Sequence, residues 1–238
     1  MDIWEGDRGI DFMSKRARKI YLIAAGIILL FVSFVYGMSF VKWFHFKSKD
    51  SLREWREKVF KGRVLYTVKI EKTDGYLAAY SKGAASGIFY NLVFNPRVTP
   101  MVSWKWRVLK FPAKKEREGS RWIEQDDYAA RFYVIFPSIF FTHTKCLEYV
   151  WDKDLPEGVI MTSPYFRNIK IIVAESGEKS KEEWIFEERN IVEDFKKAFG
   201  KNPGKVGAIA IMTDTDNTIS TAEANYDEIK VGYVDEKK

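Results

Sequence analysis

The strongest constraint on this chain is an apolar segment near its N-terminus. From Ile20 to Val41 the sequence reads IYLIAAGIILLFVSFVYGMSFV and contains no charged side chain. A helix over this segment would be roughly 33 Å long at about 1.5 Å per residue, which is enough to cross the hydrocarbon core of a bilayer. A signal-peptide core is usually about half as long, and no small-residue cleavage site follows this segment. The sequence therefore predicts an uncleaved transmembrane signal anchor at residues 20–41.

The charges that flank this segment predict its orientation. Four basic residues lie within the five positions before it, namely Lys15, Arg16, Arg18 and Lys19, whereas only Lys42 and Lys47 follow closely. By the positive-inside rule, residues 1–19 stay in the cytoplasm. Residues 42–50 are then a short juxtamembrane linker, and residues 51–235 form an extracytoplasmic domain. The expected location is the cell membrane, with a single pass and with the lipid bilayer as the partner of the segment from Ile20 to Val41.

The pattern after residue 60 is typical of short strands. Hydrophobic residues make up 46% of the chain and aromatic residues 16%, which favours a sheet-based core. Val64, Tyr66, Val68 and Ile70 alternate with more polar residues, as in a strand with one buried face. Similar runs are predicted at 76–81, 88–94, 101–108, 129–136, 147–151, 169–175, 184–189, 206–213, 222–226 and 229–234. About ten short strands separated by turn residues predict a mainly β fold, an antiparallel, jelly-roll-like β-sandwich.

Two short helices are predicted beside the strands. Ser51 and Glu54 have the spacing of a capping box, which predicts a helix that continues to about Phe60. Asn190 suits an N-cap, Glu193 the third helical position and Gly200 the C-terminal cap, which predicts a second helix between the last strands.

Charge and cysteine content exclude several classes of function. The formal net charge is +6, and basic residues stand singly among acidic ones, so no basic stripe for nucleic acid is present. A single cysteine excludes an intramolecular disulfide, and two histidines exclude a multi-histidine metal site.

The most unusual motif is the acidic run from Asp214 to Thr218. Asp214 and Asp216 are two residues apart, so on an extended chain their carboxylates point the same way. With Asn217 they offer oxygen ligands that suit calcium, although the loop lacks the glycine and glutamate of an EF-hand. The alternative is a turn at a strand end, in which Asp and Asn side chains accept hydrogen bonds from backbone amides.

A second acidic motif lies upstream. Asp126 and Asp127 precede Arg131 in the run Asp-Asp-Tyr-Ala-Ala-Arg. Adjacent residues of a strand face opposite ways, so the two carboxylates are not expected to share one ion, and one of them could pair with Arg131 or with Arg107. Paired-carboxylate hydrolysis by Asp127 together with Asp214 or Asp216 is the catalytic alternative, provided that both motifs meet in one cleft.

One tryptophan stands out as a candidate for ligand contact. Trp122 lies in a polar stretch, where an aromatic ring is free to stack on a sugar. Trp104 and Trp106 share a face with Val102 and Val108, which predicts core packing for both. The candidate ligand-binding residues are thus Trp122, Asp126, Asp127, Arg131 and Arg107.

Several motifs together resemble a known prokaryotic family. They are Trp104 to Val108, Asp126 to Arg131, Tyr149 to Trp151, Glu188 to Asn190, Phe199-Gly200 and Asp214 to Thr218, and their order is similar to that in the family called domain of unknown function 3047. The resemblance extends from about Trp55 to Val234. It implies an envelope or secreted location and no established activity. The strand pattern also resembles the galactose-binding type of jelly roll in carbohydrate-binding modules, which is a likeness of fold.

Three functions are consistent with these features. The first is a non-catalytic, membrane-anchored binding module for a glycan or another envelope ligand, with calcium as a structural ion. The second is an assembly or scaffolding component of an envelope complex, with an envelope protein as its partner. The third is a carboxylate-dependent hydrolase.

Overall fold

The structure is a computed structural model that describes residues 41–72, 74–114, 122–178 and 180–234. The segment 1–19, predicted to be cytoplasmic, and the predicted anchor, apart from Val41, lie outside these ranges. Among the described residues, none belongs to a helix with the length and hydropathy that a membrane span requires.

The described residues are mainly in β-strands, as the alternating pattern predicts. The strands, in chain order, are β1 (Lys42–Phe44), β2 (Arg56–Lys61), β3 (Leu65–Glu71), β4 (Asp74–Lys82), β5 (Ala85–Phe94), β6 (Met101–Lys110), β7 (Ala130–Phe136), β8 (Lys145–Asp152), β9 (Ile160–Thr162), β10 (Ile169–Ser176), β11 (Ile185–Asn190), β12 (Val206–Asp214) and β13 (Thr221–Tyr233). One α-helix, α1 (Ile191–Phe199), follows β11 directly. Short 3-10 helices lie at Lys49–Leu52, Trp122–Gln125 and Phe141–His143.

Two sheets form the sandwich within the described residues. Sheet I has six strands in the order β11-β6-β13-β4-β3, with β1 also paired to β13. Sheet II has seven strands in the order β2-β5-β12-β7-β8-β10-β9. The strand pairs are antiparallel except for β8 and β10, which run parallel. The purely antiparallel prediction is wrong at this pair, because the long connection through β9 returns the chain to the same end before β10 begins.

The core lies between the inner faces of the two sheets. Trp104 of β6 is fully buried and stacks on Phe132 of β7, with ring centroids 4.4 Å apart. Trp106 is also fully buried and lies 6.1 Å from Trp151 of β8. The predicted core positions of both tryptophans are therefore confirmed. The outer face of each sheet, opposite this core, carries the alternate residues of every strand.

The chain from Val41 to Lys61 differs from the sequence prediction. The backbone amide of Val41 donates to the carbonyl of Val231, and β1 pairs with β13 within the segment assigned to a linker. Phe44 and Phe46 are buried in the core, so residues 42–46 extend the sandwich beyond the predicted boundary at residue 51. The helix predicted to Phe60 is wrong. Ser48 caps a single 3-10 turn, and β2 follows because it pairs with β5 along its length.

The helix α1 agrees with its predicted caps. The Asn190 side chain accepts hydrogen bonds from the amides of Val192 and Glu193, at 3.1 and 3.2 Å. Gly200 ends the helix with φ 68°, a left-handed conformation that glycine adopts without strain. Phe195 is buried and packs 4.7 Å from Phe136 of β7, so the helix closes one end of the sandwich.

We expect Gly75→Ala to loosen the segment that precedes residue 51. A Cβ at Gly75 would collide with the carbonyl oxygen of Phe46 and lie 2.9 Å from Cδ1 of Ile70. Overpacking of this kind destabilises by about 1–3 kcal/mol. Urea unfolding of the full-length protein measures the effect, with Gly204→Ala as the control because a Cβ at Gly204 would meet no atom within 4 Å. Equal midpoints for the two variants would contradict the packing of Phe46 against β4.

Candidate functional site

The buried polar centre of the molecule is Arg131 on the outer face of sheet II. Its neighbours in β7, Phe132 and Val134, point into the core, so Arg131 points away from it. The guanidinium donates from Nε to Oδ1 of Asp214 at 2.7 Å and from a second nitrogen to Oδ2 of the same carboxylate. A third nitrogen donates to Oε1 of Glu148 at 2.5 Å. One buried cation thus joins the start of β7, the middle of β8 and the end of β12.

The chain before β7 wraps around this guanidinium. The backbone carbonyl of Asp126 accepts a hydrogen bond from Arg131 at 2.6 Å. The ring of Tyr128 lies between two cations, 4.6 Å from the Arg131 guanidinium and 3.9 Å from the Lys114 ammonium. Lys114 also binds Asp152 at 2.8 Å, and this pair is buried. These contacts fix residues 126–129 over the outer face of sheet II.

Carboxylates outnumber cations in this cluster. Asp126, Asp127, Glu148 and Asp214 are each at most 4% exposed around the single guanidinium of Arg131. Burial raises the pKa of the Asp126 carboxyl to about 7 against the attraction of Arg131. Burial alone would lower the pKa of Arg131, but Asp214 and the neighbouring anions raise it well above its usual value. The guanidinium therefore stays charged, and Asp126 takes up a proton near neutral pH.

The two acidic motifs meet at the turn after β12. The Asp127 carboxylate accepts hydrogen bonds from the amides of Asn217 and Thr218, at 3.3 and 2.6 Å. The Asn217 side chain instead contacts Tyr165 and the carbonyl of Ile123. The residues after β12 therefore form a turn with capped backbone amides, as in the alternative prediction. The capping carboxylate is that of Asp127, which is distant in sequence.

Three carboxylates of this turn could hold a hard cation. One oxygen from each of Asp127, Asp214 and Asp216 lies within 4.8 Å of the others, a spacing that fits calcium coordination. The side chain of Asn217, a predicted ligand, donates hydrogen bonds to the carbonyl of Ile123 and to the Tyr165 hydroxyl. Some of these oxygens already accept hydrogen bonds. Asp214 accepts one from Arg131, and Asp127 accepts one from the backbone amide of Thr218. Calcium at this turn stays a prediction.

The structure separates the remaining predicted site residues. Arg107 lies on the outer face of sheet I, where its guanidinium is 4.8 Å from the ring of Trp184 and 5.4 Å from that of Tyr76. It therefore belongs to the opposite face of the sandwich from Arg131. Trp122 begins a 3-10 helix, but its side chain lies outside the described part of the structure.

Glu148 is a member of the cluster that the sequence analysis did not single out. It stands in β8 between Leu147 and Tyr149, both buried in the core. Burying a carboxylate among apolar residues of a strand costs free energy unless a cation binds it. A single Glu between Leu147 and Tyr149 could therefore have indicated a buried ion pair. Tyr133, whose hydroxyl donates to Glu148 at 3.1 Å, was also missed.

Beside the buried cluster, part of the outer face of sheet II is open. Phe89 of β5, Ala210 of β12 and Tyr133 of β7 are neighbours in register and all half-buried. Neighbouring strands are about 4.8 Å apart, so the two rings flank the small Ala210 at a separation of about 10 Å. We call this row the aromatic row. The outer face of β8 and β10 is covered, because Val150, Ile171 and Val173 pack beneath Leu155, Val159 and Met161.

Solved structures similar to this chain include carbohydrate-binding proteins. The family 11 carbohydrate-binding module of the cellulase Lic26A-Cel5E of Clostridium thermocellum has 11% identity and a TM-score of 0.42, with 78% of this chain and 91% of that chain covered. The xyloglucanase domain of NopAA from Sinorhizobium fredii, in complex with cellobiose, has 10% identity and a TM-score of 0.41, with 74% and 89% covered. The mannan-recognising module TmCBM27 has 9% identity and a TM-score of 0.38, with 82% and 98% covered.

These likenesses are too distant to support an argument about function, since every TM-score is below 0.5. A search of curated protein sequences gave no match. The profile of one protein family matches residues 53–230, which include strands β2 to β12, most of β13, the helix α1 and the Arg131 cluster. The chain therefore belongs to the family described as protein of unknown function (DUF3047).

Proposed function

We propose that this protein is a membrane-anchored, extracytoplasmic, non-catalytic module that binds a glycan on the open part of the outer face of sheet II. The observation that carries the proposal is the aromatic row, in which Phe89 and Tyr133 flank Ala210. The apolar face of a sugar ring stacks on such rings, and the small alanine leaves room between them.

Polar groups suited to sugar hydroxyls lie next to the aromatic row. The Tyr133 hydroxyl is turned into the Arg131 cluster, where it donates to Glu148 and accepts from Arg131, so the polar groups open to a sugar lie on β2 and β5. Arg56, an exposed residue of β2, stands opposite Phe89 in register, and Asn91 is exposed two residues further along β5. A few fixed polar groups beside an apolar surface are the usual composition of a small-molecule site.

The buried Arg131 cluster serves as a support for this surface. Arg131 is two residues from Tyr133 on the same face of β7 and holds Glu148, which orients the Tyr133 hydroxyl. A carboxylate-dependent hydrolase requires Asp127 and Asp214 to lie close together, and they do. However, the two residues are only 0% and 3% exposed. Buried groups bound to Arg131 and to backbone amides are poorly placed to reach a substrate, so binding is the favoured function.

A panel of neutral and charged oligosaccharides tests this proposal. We expect the full-length protein, in nonionic detergent, to retain at least one oligosaccharide, and Tyr133→Ala to weaken that binding by about tenfold, or 1.4 kcal/mol. Parallel measurements with calcium and with a chelator test the trio of Asp127, Asp214 and Asp216, with Asp216→Asn as the variant. Retention of no glycan above a detergent-only control would overturn the proposal and favour the assembly role.

A further inference from the structure

A basic pocket lies at the end of the sandwich near α1, away from the aromatic row. It is formed by the connection between β7 and β8, the chain before β10 and the chain after α1, and its volume is about 520 Å³. The residues that line it are Ser138, His143, Lys145, Arg167, Asn168 and Lys201. Three of these side chains are cations, and none is a carboxylate. The pocket therefore has a positive charge of at least three at neutral pH.

No carboxylate neutralises these cations within the part of the chain that the structure describes. Lys145, Arg167 and Lys201 take part in none of its ion pairs. Burial and the charges of Lys201, Lys170 and Arg167 lower the pKa of Lys145. The cations of this pocket therefore repel one another.

Part of the pocket is held in place before any ligand arrives. The Lys145 ammonium bonds to Oδ1 of Asn168 at 3.5 Å and lies 4.6 Å above the ring of Phe199. The Asn168 amide donates to the carbonyl of Thr142 at 2.5 Å, which ties the chain before β10 to the connection between β7 and β8. Arg167 and Lys201 are exposed, so their charged ends can turn toward an anion.

We propose that this pocket binds a phosphate monoester. A phosphate dianion would relieve the repulsion among Lys145, Arg167 and Lys201, and the planar guanidinium of Arg167 suits two phosphate oxygens at once. Ser138 and His143 add hydrogen-bond donors at the rim. The volume lies within the range of small-molecule sites, roughly 300–1,000 Å³, and so accommodates the organic part of the ester. This site is separate from the aromatic row and does not depend on glycan binding there.

Calorimetric titration of the full-length protein in nonionic detergent tests this proposal. The ligands are glycerol 3-phosphate, inorganic phosphate and glycerol, at constant ionic strength. We expect glycerol 3-phosphate and inorganic phosphate to bind and glycerol not to bind. Arg167→Gln and Lys201→Gln should each weaken the binding of glycerol 3-phosphate by about tenfold. Arg53→Gln is the matched control, because Arg53 is also exposed and lies at the 3-10 turn before β2.

Three results would overturn the proposal. The first is no binding of glycerol 3-phosphate at millimolar concentration. The second is equal weakening by Arg53→Gln, because net charge alone would then explain the affinity. The third is binding of inorganic phosphate without glycerol 3-phosphate, which would assign the pocket to the free ion. Circular dichroism of each variant checks that the fold is retained.

Discussion

Arg131→Met should destabilise the protein by about 3–5 kcal/mol, since it leaves buried carboxylates without their cation. The substitution removes the forked bond to Asp214 and the bond to Glu148, and both carboxylates are at most 3% exposed. Urea unfolding of the full-length protein, followed by tryptophan fluorescence, measures the loss. Arg131→Lys should recover only part of the stability, because an ammonium cannot form the forked pair.

Arg107→Met is the matched control for Arg131→Met. Arg107 occupies a similar outward position on sheet I, but its guanidinium donates to the neutral amide oxygen of Asn225 and lies over the rings of Trp184 and Tyr76. Contacts of this type at a partly exposed position contribute about 0.5–1 kcal/mol. If the two methionine variants lost the same stability, the contacts of Arg131 with Asp214 and Glu148 would not contribute the expected stabilisation.

Stability should fall as pH rises from about 5 to about 8, by about 3 kcal/mol from Asp126 alone. Burial raises the pKa of Asp126 in the folded protein to about 7, whereas the ordinary pKa of an aspartate is 3.8. Between these values the folded state holds a proton that the unfolded state has released. The stabilisation is thus complete at low pH and is lost as pH rises through the folded-state pKa. Thermal unfolding across this range measures the slope.

Asp126→Asn should flatten much of this pH dependence. Asparagine cannot ionise, so the variant should be more stable than the parent at about pH 8 and similar to it at about pH 5. Glu187→Gln is a useful companion, since burial raises the pKa of Glu187 to about 8 on the other sheet and adds a slope of the same sign. A slope unchanged in Asp126→Asn would show that Asp126 is not the titrating group.

The sequence predicted the sandwich where local pattern and tertiary packing agree. The strands around Trp104 and Phe132 were recognisable because their buried faces alternate, and α1 was recognisable because Asn190 and Gly200 cap it. The region before residue 61 was mispredicted because its structure depends on distant partners. Lys42–Phe44 becomes a strand by pairing with β13, and Arg56–Lys61 by pairing with β5.

The candidate site was likewise predictable from the sequence only in part. The acidic runs and Arg131 were visible in the sequence, since charged residues stand out at the ends of apolar strands. Their meeting depends on the order β12-β7-β8 in sheet II, which no local pattern encodes. Asp127 caps the turn at Asn217 and Thr218 across about ninety residues of sequence. The aromatic row was missed for this reason too, because Phe89, Ala210 and Tyr133 are neighbours only in register.

Glycan binding at the aromatic row is tested by comparing Phe89→Ala with Phe186→Ala. Phe186 is 54% exposed on sheet I and lines a separate depression of about 160 Å³ with Trp43 and Tyr233. The measurement is titration of both variants and the parent with the oligosaccharides of the panel. We expect the parent to bind, Phe89→Ala to bind about tenfold more weakly, and Phe186→Ala to bind as the parent does. Loss of binding in Phe186→Ala with Phe89→Ala unaffected would place the ligand on sheet I and contradict glycan binding at the aromatic row.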